Sequence, residues 1–190
     1  GIKARYMLGW SQFKQGPSAW SRAAATFIRV LDEFLPSAQS PGSVSDSSVD
    51  TIDDTFRVLA LMAARNSGTD TLIAWLDGSR PHHWEHLLFD RLADYYAVKG
   101  ETIASVAANQ AFIDYSPSHR AVPAFRLQIV DVWQAAGDPE QVRNARAEFV
   151  ASYSQDSAYA TLTGEQKNKW LSYSKRLADY HYDLATRLVE

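Results

Sequence analysis

The stretch Arg91-Leu92-Ala93-Asp94-Tyr95 returns unchanged as Arg176-Leu177-Ala178-Asp179-Tyr180, and each copy lies among apolar residues recurring every three or four positions. From Pro81 to Val98 those residues are Trp84, Leu87, Leu88, Leu92, Tyr95 and Tyr96, a spacing that lays one broad stripe along a helix. Gly100 breaks the pattern. A second stripe runs through Ile103, Val106, Ala107, Ala111, Phe112 and Tyr115 and stops at Ser116-Pro117, where proline cannot continue a helix. The unit is helix, turn, helix, stop, and its two stripes are too broad to satisfy one another alone, so neighbouring pairs must cover them.

The same grammar predicts helix pairs over 2–36, 49–78, 81–117 and 119–154, followed by one long helix over 163–189. Gly16, Gly68, Gly100 and Gly137 mark the turns within the pairs. This makes about nine helices and no strand, an all-α repeat array. Residues 37–48, rich in Ser, Pro and Gly, read as an exposed loop, either functional or simply mobile. Ser47 or Ser48, followed by Asp50, Asp53 and Asp54, is the expected cap of the next helix.

Composition sets outer limits. With 190 residues, 46% hydrophobic and 22% charged, the chain can bury roughly two-thirds of its extended surface and is not disordered throughout. A net charge of −3 with no long Lys/Arg run argues against a broad nucleic-acid-binding face. No apolar stretch reaches the roughly 18 residues needed to span a bilayer. The absence of cysteine excludes disulfides and thiolate metal sites, and suits cytosol and periplasm alike. The opening Gly1-Ile2-Lys3 carries no signal-peptide pattern and reads as the start of a piece cut from a longer protein, with Gly1 a cloning remnant.

Leu92-Ala93-Asp94-Tyr95-Tyr96 through Gly100, Phe112 and Pro117 resembles the tetratricopeptide repeat (TPR) family over a full repeat, with the small Ala93 at the close helix contact. Ser105 stands where that family has alanine, and Asn109 where it has an aromatic. Leu8-Gly9-Trp10-Ser11-Gln12-Phe13-Lys14-Gln15-Gly16 is similar to the family's first helix, and an insertion after Gly16 aligns Trp20, Ala23 and Phe27. The resemblance implies a right-handed solenoid of antiparallel helix pairs whose first helices line a concave groove. It places Tyr6, Trp10, Phe13, Lys14, Met62, Arg65 and Asp94 on or near that groove, as contacts for a protein or peptide partner. Trp10 and Phe13 have a second reading, as packing for a helix outside this chain. The phrasing of the chain is also similar to long TPR proteins of the Gram-negative cell envelope, which implies a periplasmic scaffold. Ends left open by truncation offer a route to homo-oligomers.

Only one constellation spells chemistry. His82-His83-Trp84-Glu85-His86 contains H-x-x-E-H, an inverted zinc-peptidase motif. On a helix, His82 and His86 would share a face as zinc ligands, with Glu85 beside them to activate water. The plainer alternative is a helix start at Pro81 with polar residues in its first exposed turn. No nucleophile turn and no glycine-rich phosphate loop occurs, so the expectation is a binding protein without catalysis or cofactor, the alternatives being a zinc-dependent hydrolase using His82, Glu85 and His86 or a purely structural spacer. Trp84, Tyr96, Trp133 and Trp170 fall on helical stripes and read as core, while Asp94 and Asp179 read as solvated or paired helix residues.

Overall fold

The computed structural model describes residues 1–37, 44–77 and 80–189, and every regular element among them is helical. The elements are α1 (Ile2–Phe13), a 3₁₀ turn (Pro17–Ala19), α2 (Trp20–Phe34), α3 (Asp46–Ala64), α4 (Thr69–Leu76), α5 (Glu85–Val98), α6 (Thr102–Tyr115), α7 (Val122–Ala136), α8 (Pro139–Ser152), α9 (Asp156–Tyr159) and α10 (Gly164–Arg187). Nine of these ten α-helices answer to the nine expected; the extra one, α9, is a single turn that no apolar period announces. Of the loop expected over 37–48, residues 38–43 lie outside the described residues, and 46–48 already belong to α3. The cap of α3 is Ser45 rather than Ser47 or Ser48, because Asp46 is already helical.

The turns follow from backbone chemistry. Gly16, Gly68, Gly100 and Gly137 all have positive φ, which side-chain-bearing residues rarely adopt. Gly68 is doubly constrained: its φ is +62° and an added Cβ would lie 2.8 Å from the Tyr96 hydroxyl. At α8, Gly137 ends the preceding helix in a left-handed conformation, and Asp138 caps the new one by accepting from the Gln141 amide at 3.1 Å. Thr163 and Gln166 form a reciprocal capping box at the start of α10.

The chain divides into two compact units, residues 1–104 and 105–190, with the boundary inside α6. In the first unit α1 packs on α2, α2 on α3, and α3 mainly on α5. Its core includes Phe27, Leu31, Leu59, Met62, Leu72, Trp84, Leu88, Phe89 and Leu92, all essentially inaccessible. Burial of each such side chain contributes about 1.5–3 kcal/mol. The close approach of α1 to α2 depends on Gly9, where a Cβ would meet the Phe27 ring at 2.7 Å. In the second unit α7 packs on α8 and α8 on α10 around Val130, Val142, Phe149, Tyr153, Leu162 and Tyr173. Trp133 and Trp170 pack against that core half-buried, and Trp170 Nε1 donates to the Val150 carbonyl at 3.1 Å.

Candidate functional site

Among the seven residues expected to meet a partner, Tyr6, Trp10 and Phe13 come together and are half-buried. Trp10 meets Tyr6, Phe13 and Phe27 edge to face at centroid distances of 6.2, 5.4 and 5.8 Å, and Phe13 stacks on Trp20 at 5.7 Å. The Tyr6 hydroxyl donates to Asp54 Oδ2 at 3.3 Å, and partial burial raises its pKa above 10.0. These half-buried rings pack against Trp20 and Phe27 at the start and middle of α2. The apolar residues that α1 exposes are instead Met7 and Leu8, which the reading of the sequence missed. Lys14, Arg65 and Asp94 are exposed and take no part in the aromatic cluster. Met62 is fully buried, so it is a core residue rather than a groove contact; its place on the packed face of α3 leaves nothing for a partner to touch.

The H-x-x-E-H segment also takes a different form. Helix α5 begins at Glu85, so Pro81 does not start it, and His82 precedes the helix instead of sharing a helical face with His86. Glu85 Oε1 accepts from the His82 amide at 3.1 Å, ordering the turn into the helix. The His82 ring lies 2.6 Å from Asp32 Oδ1, which also accepts from Trp84 Nε1 at 3.0 Å. This carboxylate on α2 pins the entry to α5. The hydrogen bond to Asp32 and the link to the His82 amide engage two of the three motif residues, His82 and Glu85. Among the described residues no group of three His, Cys, Asp or Glu is placed to hold a metal ion.

A well-formed concavity lies in the second unit and was not expected from the sequence. It is a groove of about 490 Å³ lined by the α7–α8 turn, α8 and α10, with Val142, Arg143, Arg146, Arg176, Leu177 and Tyr180 among its walls. The Arg143 guanidinium lies 4.2 Å from the Tyr180 ring centroid and that of Arg146 5.0 Å from Tyr173. Beyond the groove α10 exposes Leu171, Tyr182 and Leu184, with Leu188 just after the helix. Leu177, Tyr180, Leu184 and Leu188 follow one another at three, four and four positions, a single helical row. The arginine pair Arg143 and Arg146, three apart on α8, was the available sequence signal, but only the fold brings it opposite Arg176.

Searches of family models, curated proteins and solved structures find no match to this chain.

Proposed function

We propose that this chain is a protein-interaction scaffold of TPR-like helix pairs, binding a protein or peptide partner without carrying a reaction centre. The observation that supports the reading is the apolar row of α10, in which half-buried Leu177 and Tyr180 line an open groove and the exposed Leu184 and Leu188 continue beyond it. An exposed row of large apolar side chains costs solubility and is what helix-in-groove recognition uses. The exposed Met7 and Leu8 on α1 are a second, smaller surface of the same kind. The proposed contact surface therefore adds the outward residues of α1 and α10 to the half-buried Tyr6, Trp10 and Phe13. The likeness to envelope TPR proteins makes a periplasmic partner the expectation.

The test is capture of partners with the 190-residue chain as bait, alongside Leu8→Asp and Leu184→Asp variants whose helicity is checked by circular dichroism. A scaffold that works through α10 retains its partner in Leu8→Asp and loses it in Leu184→Asp. Identical capture by all three proteins, or capture by none, sinks the reading.

A further inference from the structure

The groove along α8 and α10 joins an apolar lining to an excess of positive charge. Val142, Leu177 and Tyr180 supply the apolar part, and Arg143, Arg146 and Arg176 supply three cations. Among the described residues, no carboxylate pairs with any of the three. The buried Nε of Arg146 has no hydrogen-bond partner. Asp138 is the single acid in the lining, and its carboxylate accepts from the Gln141 amide as the cap of α8. Stacking of Arg143 on Tyr180 and of Arg146 on Tyr173 fixes each guanidinium by its face and leaves its N–H edge to donate.

We infer that this groove takes an acidic peptide segment of a partner protein, in which carboxylates flank an apolar anchor; the inference rests on the scaffold reading above and names the partner chemistry of the same site. The apolar lining receives the anchor, and carboxylates satisfy guanidinium edges that are otherwise left without anions. The volume fits a few side chains rather than a whole domain. Charge complementarity decides between occupants. A second copy docking the same face about a two-fold axis would bring six arginines together, which like-charge repulsion opposes. A nucleic-acid strand would need free aromatic faces for stacking, and Arg143 already covers Tyr180.

The experiment uses fluorescence anisotropy on the full 190-residue chain, with a short fluorescein-labelled peptide of repeated Glu-Leu-Leu-Glu units, its Lys-Leu-Leu-Lys counterpart, and a labelled single-stranded oligonucleotide. The acidic peptide binds and the basic one does not. Arg143→Glu combined with Arg176→Glu, helicity being unchanged, weakens binding by about tenfold or more, and added salt weakens it in the unmodified chain. The proposal is overturned by no binding of the acidic peptide, by binding indifferent to the arginine changes, or by an oligonucleotide that displaces it. It is equally overturned if sedimentation shows the chain self-associating and the same variants break that association. Partner capture lost in Leu184→Asp but untouched by Arg143→Glu and Arg176→Glu defeats this inference while leaving the scaffold reading intact; loss of all capture defeats both.

Discussion

The two copies of Arg-Leu-Ala-Asp-Tyr have identical side chains, both are helical, and they end in opposite environments. In α5, Leu92 and Ala93 are 0% and 3% exposed, and Arg91 pairs with Asp53 across α3. In α10, Leu177 is half-buried, Ala178 is exposed, and Arg176 faces the groove without a carboxylate. Local sequence decides that each copy is a helix; what packs over it decides whether the apolar residues are core or surface. A pentapeptide whose apolar residues are core in one unit therefore lies partly at the surface in the other.

Substitution at the matched leucines breaks the comparison most sharply. Leu92→Ala should cost about 2–5 kcal/mol through lost burial and a cavity, whereas Leu177→Ala should cost less than about 1 kcal/mol and weaken peptide binding instead. Denaturant melts of the two variants check this, and equal losses would show that the α10 copy is as well covered as the α5 copy.

The next effect reads the polar anchoring peculiar to the first unit. Asp32→Ala removes the acceptor of both His82 and Trp84 Nε1, leaving Trp84, itself 1% exposed, with an unsatisfied donor. The expected loss is about 1–3 kcal/mol, measured by denaturant unfolding, with added mobility at the start of α5. Enlarging the small residue of each copy follows. Ala93→Leu should overpack the contact of α5 and cost about 1–3 kcal/mol, while Ala178→Leu on the exposed face of α10 should be within about 0.5 kcal/mol of neutral.

Those contrasts also measure how much the sequence revealed. Turn glycines were legible because positive φ is a local demand that one residue type meets, and the presence and order of the long helices were legible because apolar period is local too. Met62 and Leu8 show where locality ends: both lie on predicted helices, yet the docking of α2 and α5 onto α3 accompanies burial of one, while the other lies on the face of α1 that α2 leaves exposed. The start of α5 was misplaced for a related reason. Asp32, fifty residues before His82, holds the Pro81–Trp84 stretch off the helix, and no periodicity reports a contact of that range. The arginine groove was illegible because three residues from two helices acquire a shared meaning only when α8 and α10 are side by side.

The smallest effect concerns protons, and it again separates the units. Burial raises the pKa of Tyr6 and Tyr96 in the first unit and of Tyr153 in the second. For Tyr153 burial outweighs the nearby Arg126, whose charge and hydrogen bond favour the phenolate. A folded pKa above the unfolded value means the native state holds the proton more tightly. The resulting stabilisation is complete below the unfolded value near 10 and is lost as pH rises through the folded pKa. Stability should accordingly fall above about pH 10. Tyr153→Phe should flatten that decline for the second unit alone, because phenylalanine keeps the ring between Phe149 and its neighbours while removing the group that titrates. Hydrogen exchange, which follows amides of each unit separately, reads the difference. An alkaline decline of equal slope in both proteins would mean that Tyr153 titrates as it does in the unfolded chain, and that its burial near Arg126 is looser than its packing indicates.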